Sequence, residues 1–501
     1  MTERYDAIVV GGGNAAFCAA RAAAEHVDRV LMLEKAPRER AGGNSFFTAG
    51  AFRVAYRDLA TVRPLLDGLP DELAARVDVP EYADEHFMAD MLRLTEGRCD
   101  RQLADVLVGE SLETVRWMHT KGVRWELMFP RQSFPVGDRV QFFGGLALGT
   151  VGGGRGLIEQ HTAGANDAGI ELRYDSPVVG LLRDGRGGVS GVVVQGPNGR
   201  EEIRAGGVVV ASGGFEADPR MRAQYLGPNW DVAKVRGTAT NTGDGIRLAL
   251  DAGAQPYGHW SGCHAVFWDA GAPATGDWEL TNQLSKLGYP IGLIVNRDGK
   301  RFVDEGADFR NYTYAKYGRE ILNQPGAVGY QLYDQKVVPL LRKDEYMIPS
   351  ATKVEAHTIG ELATGLGLDP GALEGTIDQY NAAVRPGEFN PSIKDGKRTE
   401  GIEPPKSNWA QRLDSPPFVA YPVTVGITFT FGGVKIDPDG RVLDRAERPI
   451  DGLYAAGELV GGLFYHNYPG GTGLMAGSVF GRRAGAAAGR AALKTRAATM
   501  A

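Results

Sequence analysis

A glycine-rich turn near the start of the chain has the spacing needed to hold a pyrophosphate. Gly11, Gly13 and Ala16 follow the pattern GxGxxA. In that pattern the first glycine makes a tight turn, the second lets a phosphate approach the backbone, and the small third residue lets a helix pack on a strand. Glu34 lies 18 residues after Ala16, near the usual position of an acid that hydrogen-bonds a ribose hydroxyl. Together these residues predict a dinucleotide site.

The elements around the turn are those that such a site requires. Residues 5–10 are apolar except for Asp6 and are rich in β-branched types. The alanine-rich stretch after the turn continues to about Val27, and residues 29–33 are again apolar except for Arg29. This pattern predicts a strand, a helix and a second strand. The predicted helix N-terminus would face the phosphates, where its free N–H groups favour an anion.

The remaining glycines are concentrated in clusters that resemble contact loops. Glycine accounts for 70 of 501 residues, about twice its usual share of about 7%. The clusters lie at residues 42–45, 152–156, 211–214 and 470–473. They have no fixed period and so do not indicate a repeat protein. Two apolar strands, at 208–211 and 452–457, also end in glycine, as expected where strand ends meet a ligand at the edge of an open α/β sheet.

Composition excludes several classes of function. The 55 basic and 61 acidic residues give a net charge of -6 without a basic stripe, which argues against a nucleic-acid partner. The three cysteines are far apart in sequence, so neither a disulfide framework nor a cluster with four thiolates from this chain is expected. We predict no metal site. Glu3 and Asp6 replace the basic region of a secretory signal, and no apolar run reaches the roughly 20 residues that span a bilayer. We therefore expect a cytoplasmic location without direct membrane insertion.

A change in composition predicts two domains. Residues 257–422 contain fewer glycines, more aromatic and charged residues, and proline-marked loops. We interpret residues 1–256 and 423–501 as two parts of one nucleotide-binding domain, with residues 257–422 inserted between them. The first domain would end in a helix from Gly477 to about Lys494.

Motifs in order along nearly the whole chain resemble the flavoproteins of the fumarate reductase and succinate dehydrogenase superfamily. They are GGGNAA with Glu34, GGNS, ASGGF, TNTGDG, IVNRDGKRFVDE, GLYAAGELVGG and NYPGGTGLMAGSVFGRRAG. Within the superfamily, GCHAVF, DEGADFRNYTY, GITFTFGG and YHNYPGGTG are most similar to the FAD-dependent tricarballylate dehydrogenases. The resemblance implies an α/β fold, with a Rossmann-like FAD-binding domain of the glutathione-reductase type and an inserted α+β capping domain.

The resemblance also implies FAD as the cofactor. Members that bind flavin covalently use a histidine after the glycine doublet, where this chain has Asn44 and Ser45, so non-covalent FAD is expected. The implied cofactor-binding residues are Gly11, Gly13, Asn14, Ala15, Ala16, Glu34, Lys35, Gly42, Gly43, Asn44, Ser45, Ala211, Ser212, Gly213, Gly214, Thr240, Asn241, Asp244, Gly457, Glu458, Gly473 and Leu474.

Catalytic roles follow from the same resemblance. The first active-site histidine of fumarate reductases corresponds to His264, and their arginine proton donor corresponds to Arg310. An arginine is a poor base, so removal of a substrate proton by Arg310 needs a neighbour such as Glu305; Tyr312 or Tyr314 are alternatives. His264 and Tyr468 would polarise a carboxylate or carbonyl oxygen. His466 is a further candidate. His264 and Arg310 each also have a simpler interpretation. His264 would be a packed core residue, and Arg310 would belong to an ion-pair network with neighbouring acids.

Two departures from fumarate reductases affect the substrate. Their second substrate-binding histidine corresponds to Phe429, and their carboxylate-binding arginine corresponds to Tyr468. Because a fumarate site needs paired cations, fumarate and succinate are disfavoured. Arg155 and Arg236 are candidates for contacts with a carboxylate or phosphate. The simpler interpretation is that each is a surface residue.

The expected activity is oxidation of tricarballylate to cis-aconitate, with hydride transfer to flavin N5. A 3-ketosteroid-dehydrogenase-like enzyme remains an alternative because tyrosine, proline and glycine also occur together in those enzymes. A fumarate- or urocanate-reductase-like enzyme, a flavin monooxygenase and a non-catalytic flavoprotein are further alternatives. The resemblance implies a small carboxylic-acid substrate and a separate electron acceptor, such as an iron–sulfur and haem membrane protein.

Overall fold

The computed structural model describes residues 3–196 and 199–500. Its strands are β1 (Arg4–Val10), β2 (Val30–Leu33), β3 (Ala51–Phe52), β4 (Val77–Asp78), β5 (Trp125–Leu127), β6 (Ser133–Val136), β7 (Arg139–Phe142), β8 (Leu148–Thr150), β9 (Glu171–Arg173), β10 (Val178–Arg183), β11 (Val189–Gly196), β12 (Gly199–Val210), β13 (Lys234–Val235), β14 (Pro256–Asp269), β15 (Leu293–Asn296), β16 (Val328–Tyr333), β17 (Val354–Ala356), β18 (Phe418–Val434), β19 (Arg441–Leu443) and β20 (Pro449–Ala455).

Its helices are α1 (Asn14–Ala23), α2 (Gly43–Phe46), α3 (Leu59–Val62), α4 (Asp71–Ala74), α5 (Asp84–Leu94), α6 (Arg101–Gly109), α7 (Ser111–Thr120), α8 (Phe129–Gln132), α9 (Gly153–Asp167), α10 (Pro219–Met221), α11 (Asp244–Asp251), α12 (Arg310–Leu322), α13 (Lys343–Tyr346), α14 (Ile359–Leu366), α15 (Pro370–Ala383) and α16 (Thr472–Met500). The helix predicted from Gly477 is therefore part of the longer α16. The predicted contact loop at 152–156 is the start of α9.

An eight-stranded sheet contains the predicted strand, helix and strand around the glycine turn. β1 lies between β12 and β2 and runs parallel to both, so that Val10 is opposite Val210 and Leu33. The order is β10-β11-β12-β1-β2-β9, with β20 also paired to β12 and β19 to β20. β20 runs parallel to β12. The carboxyl ends of β1, β2, β12 and β20 therefore meet at one edge, which is where open α/β sheets bind ligands.

A six-stranded sheet is built around the long strand β18. β18 pairs with β13, β14, β16 and β17, and β15 joins through β16. The antiparallel pairing of β14 with β18 places His264 opposite Phe429, and helix α12 packs on β14. The two sheets with their helices confirm the predicted mixed α/β class. Division of the chain at residues 257 and 422 stays a prediction.

Three composition-based expectations concern absences. No helix in residues 3–196 and 199–500 is both long and apolar enough to cross a membrane. Among the same residues no group of three or more His, Cys, Asp and Glu side chains is arranged to hold a metal ion. Cys18, Cys99 and Cys263 are buried and unpaired.

Candidate active site

The glycine turn after β1 is too tight for any side chain at its first position. Gly11 has a φ of 120°, and a Cβ there would overlap the carbonyl oxygen of Ala211 on the neighbouring strand. Gly13 caps α1 without a side-chain hydrogen bond to the first turn. The Asn14 N–H donates to the Ser45 hydroxyl at 3.1 Å, and the N–H groups that follow it in the first turn are available to an anion, which fits the pyrophosphate of a dinucleotide.

Two charged residues follow β2 at the same edge of the sheet. The Glu34 carboxylate accepts a hydrogen bond from the Ala36 N–H at 2.8 Å, and burial raises the pKa of Glu34. Lys35 donates to Asp244 at 2.5 Å and to the Thr242 hydroxyl at 2.7 Å. A half-buried acid at the end of the second strand fits the predicted ribose contact.

A cavity of about 220 Å³ extends from this turn. The predicted cofactor residues that line it are Gly11, Gly13, Asn14, Ala15, Glu34, Lys35, Gly43, Asn44, Ser45, Ala211, Ser212, Gly213, Thr240, Asn241, Asp244, Gly457, Glu458, Gly473 and Leu474. Three others are outside the lining. Ala16 is fully buried in the core, Gly42 lies on a smaller neighbouring cavity, and Gly214 packs so closely on the Glu458 carboxylate that a Cβ would overlap it.

The same cavity is lined at its other end by three of the predicted catalytic residues, His264, Arg310 and Tyr468. The ring of His264 lies 4.6 Å from that of Tyr314 and 4.7 Å from that of Tyr468. The Tyr314 and Tyr468 hydroxyl oxygens are 2.8 Å apart and share a hydrogen bond. Strand β14, helix α12 and the segment before α16 thus bring together residues that are 204 positions apart in sequence.

Burial keeps the imidazole and the phenols of this group neutral. It lowers the pKa of His264 well below 6.5, with a further contribution from Arg236. Burial also raises the pKa of Tyr468 well above 10, with a further contribution from Tyr314. His264 Nε2 has no hydrogen-bond partner in the described chain. The group can therefore donate hydrogen bonds to an oxygen that gains charge.

Four arginines also line the cavity, and they differ in their partners. Arg131 pairs with Asp344 and Glu345 at 2.9 Å each, and Arg342 pairs with Glu345. Arg310 is about 91% buried, and within residues 3–196 and 199–500 its Nη2 has no hydrogen-bond partner and its guanidinium stacks only on the Phe143 ring, 5.3 Å away. Burial, and then the charge of Arg342, lowers the pKa of Arg310 well below its ordinary value.

Arg236 is the fourth arginine of the cavity. In the sequence it was a candidate for anion contacts but was not among the predicted site residues. It is buried, and its Nε has no hydrogen-bond partner in the described residues. Its sequence signal was weak, namely a position four residues before the predicted cofactor residue Thr240.

Glu305 does not lie at the cavity, which corrects its predicted role as proton acceptor for Arg310. Its two carboxylate oxygens accept hydrogen bonds from Arg301 at 2.6 and 3.0 Å, and one also accepts from the Ile294 N–H at 3.0 Å. Lys406 lies 4.0 Å away. Burial alone would raise the pKa of Glu305, but these two cations hold it below its ordinary value. The carboxylate is therefore committed to a buried ion pair.

His466 is also outside the cavity lining. Its N–H donates to His259 Nδ1 at 3.0 Å, and its half-buried ring lies 3.8 Å from Glu96. The adjacent Asn467 donates to the Tyr312 carbonyl at 2.6 Å. The segment thus holds Tyr468 in place, while the His466 ring packs on the His259 ring, 4.7 Å away.

A second cavity, of about 1140 Å³, adjoins the Arg310 end of the first. The residues that line both are Thr48, Ala49, Met128, Arg131, Asn282, Leu287, Arg310 and Arg342. Its other lining residues include Phe129, Phe134, Phe143, Leu341 and Trp409. None of the glycine-turn residues 11–13 lines it. This larger cavity is therefore a largely apolar approach to the arginines.

Comparisons with known proteins agree with this geometry. A family model described as an FAD binding domain matches residues 6–474. A probable fumarate reductase of Shewanella frigidimarina is 28% identical over 498 residues, covering 98% of this chain and 76% of that protein. A 3-oxosteroid 1-dehydrogenase of Mycobacterium tuberculosis is 27% identical, covering 94% of this chain and 96% of that protein. The solved open conformation of a flavocytochrome c3 fumarate reductase is 27% identical with a TM-score of 0.73, covering 98% of this chain and 79% of that one.

Proposed function

We propose that this chain, which belongs to the FAD-binding-domain family, forms or reduces a C=C bond next to a carboxylate. It is an FAD-dependent oxidoreductase that acts on CH–CH groups. The observation that carries the proposal is the continuity of one cavity, which reaches from the glycine turn to His264, Arg310 and Tyr468.

The residues of the turn fit FAD. The N–H groups that follow Asn14 in the first turn of α1 would hold the pyrophosphate, Glu34 would accept from the ribose, and the Gly43–Ser45 segment would contact the remainder without a covalent bond. When bound, FAD supplies hydride chemistry.

The chain's own residues would bind the substrate and move a proton. His264 and Tyr468 donate hydrogen bonds to a carboxylate oxygen, which stabilises negative charge on it. Tyr314 orients the Tyr468 hydroxyl through their shared hydrogen bond. The charged guanidinium of Arg310 gives a proton from Nη2 to the carbon beside this carboxylate during reduction, and the neutral guanidine takes a proton from that carbon during oxidation. In each direction the proton is exchanged with solvent through the larger cavity, which Arg310 also lines. A lowered pKa suits the guanidinium to this exchange, because it weakens the hold on the proton.

We further propose a small polycarboxylate substrate, with tricarballylate and cis-aconitate as the first pair to test. Arg236 and Arg310 are buried and form no ion pair with a carboxylate of the described residues. They support an anionic substrate, because an unpaired buried cation is costly. The motifs GCHAVF and YHNYPGGTG support tricarballylate in particular. A separate protein would exchange electrons with the flavin.

The test is anaerobic bleaching of the bound flavin. Purified protein is mixed with tricarballylate, succinate, urocanate or a 3-ketosteroid, and the dithionite-reduced protein is mixed with cis-aconitate and fumarate. We expect a tricarboxylate or dicarboxylate to react and Arg310→Met to abolish the reaction with FAD retained. Lys316→Met, which removes a cation from the exposed side of the same helix, is the matched control. A flavin that no carboxylate bleaches or reoxidises would refute the proposal.

A 3-ketosteroid substrate is the second candidate, and the larger apolar cavity favours it. A cavity of about 1140 Å³ with several aromatic side chains would accommodate a fused-ring substrate, and the paired Tyr314 and Tyr468 hydroxyls could polarise a ketone. Bleaching by the ketosteroid, with no response to any acid, would select this candidate.

A further inference from the structure

Arg236 reaches the cavity from a fixed piece of backbone. It directly follows β13, its N–H donates to the Ile427 carbonyl at 2.8 Å, and its own carbonyl accepts from the Thr428 hydroxyl at 2.8 Å. Its side chain is about 92% buried and lines the same cavity as His264 and Tyr468. The β13 and β18 pairing therefore aims this guanidinium at the predicted substrate position.

Nε of this guanidinium is buried without a partner in the described protein, and the carboxylate whose charge acts on it, Glu345, is paired with Arg131 and Arg342. The guanidinium forms no hydrogen bond or ion pair with any residue of 3–196 and 199–500, and the nearest aromatic partner is the Trp268 ring at 6.0 Å. Arg222 shows what a structural buried arginine looks like in this fold. Its nitrogens donate to the carbonyl oxygens of Trp230, Glu216, Asp231 and Ala233 at 2.5 to 3.1 Å. A buried charge without such partners opposes folding, so Arg236 is poorly explained by a structural role.

The surroundings of Arg236 favour an anion in the cavity. Burial lowers its pKa, and the nearby hydroxyl groups of Tyr314 and Tyr468 are both neutral because burial raises the pKa of each. The residue opposite His264 in the sheet is Phe429, which contributes no charge. Nε and the Nη groups of a guanidinium form a planar fork that matches a carboxylate.

We propose that Arg236 binds a second carboxylate of the substrate, in addition to the one beside the reacting carbon. This inference rests on the proposed function. Arg236 would supply a cation to the site, where Phe429 and Tyr468 replace the substrate-binding histidine and arginine expected from fumarate reductases. The substrate would then be a dicarboxylate or tricarboxylate rather than a monoacid.

The test compares a dianion with its singly charged amide. The FAD-loaded protein is titrated with malonate and with malonamate, neither of which has to react, and binding is followed by the visible spectrum of the flavin. A charge-assisted contact predicts that malonate binds about tenfold to a hundredfold more tightly than malonamate. In Arg236→Met this preference should fall to about one, while Arg236→Lys should keep part of it. Arg204→Met, on the exposed side of β12, is the control and should keep all of it.

The outcomes separate the inference from the proposed function. Native protein that binds malonate no better than malonamate, and tricarballylate no better than malonate, would overturn the Arg236 assignment. So would an Arg236→Met variant whose FAD-loaded fraction keeps the native preference. If that variant loses FAD and the loaded remainder keeps the preference, Arg236 serves the cofactor. If Arg236 controls dianion binding but no carboxylate reacts with the flavin, the inference stands and the proposed function fails.

Discussion

Replacing Tyr468 by phenylalanine removes one hydroxyl and little else. The ring is packed against Phe464 at 5.3 Å and His264 at 4.7 Å, and these contacts do not involve the oxygen. Tyr468 is 7% exposed, so the hydroxyl acts in a site with little water, where a donor to a developing charge is strongest. The substitution therefore tests the donor without creating a large cavity.

The expected loss can be estimated from the number of donors. His264 Nε2 and the Tyr468 hydroxyl are the two neutral donors assigned to the substrate oxygen. Loss of one such donor costs about 10² to 10³ in kcat. Tyr314→Phe should cost less, about tenfold, because Tyr314 acts by orienting Tyr468 over their 2.8 Å hydrogen bond. The double variant should be no slower than Tyr468→Phe alone, since the orienting residue then has nothing to orient.

The assay is stopped-flow reduction of the bound flavin by the best acid of the bleaching panel. FAD content and the dissociation constant of the acid are measured for each variant, so that a loss in rate is distinguished from a loss in binding. Because the pKa of Tyr468 is held well above 10, the native rate should show no Tyr468 ionisation up to about pH 9. Native rates for Tyr468→Phe would refute the reasoning and leave His264 as the assigned donor.

Gly11→Ala should abolish FAD binding because its Cβ would overlap the Ala211 carbonyl, whereas Gly375→Ala, in open space on α15, should bind FAD normally; FAD per purified chain is the measurement. Glu305→Gln should lower the unfolding free energy by about 3 to 5 kcal/mol, because it leaves buried cations unpaired, yet leave turnover per FAD-loaded molecule unchanged. A catalytic loss with native stability would restore Glu305 to the mechanism. Stability should also fall as the pH drops below about 6.5, because unfolded His264 binds a proton that the native residue excludes. Urea unfolding of His264→Gln should show a smaller pH slope, and an unchanged slope would contradict the assignment.

The nucleotide turn could be predicted because its parts are consecutive in sequence. Strand, GxGxxA turn, helix and Glu34 lie within about thirty residues, and each has its own local pattern. Predicted residues 5–10 and 29–33 correspond closely to β1 and β2, although α1 ends at Ala23 and not near Val27. The predicted FAD was confirmed by the FAD-binding-domain family match over residues 6–474, and the 28% identical fumarate reductase supports the predicted superfamily.

The far end of the cavity depends on pairings that no local pattern encodes. Arg236 and His264 meet because β13 and β14 both pair with β18, and short β13 has no sequence signal of its own. Glu305 was misplaced for the opposite reason. Its distance of five residues from Arg310 suggested contact, but Arg301, four residues before it, forms the bidentate pair. Sequence spacing does not reveal which of two nearby cations faces a carboxylate.

The glycines of helix α16 let it pack closely on α1, and these two helices connect the cofactor end of the cavity to its predicted catalytic end. Asn14, the first residue of α1, donates hydrogen bonds to the Leu474 carbonyl and the Ser478 hydroxyl at 2.9 and 3.0 Å. Further along, a Cβ at Gly481 would lie 2.5 Å from the Ala15 carbonyl oxygen, so α16 can approach α1 this closely only with glycine there. Helix α1 begins at the phosphate turn, and α16 begins four residues after Tyr468. Close packing of α16 on α1 therefore links the cofactor turn to the segment that carries the predicted catalytic phenol. This packing explains why α16 contains glycines, although alanine would stabilise an isolated helix more.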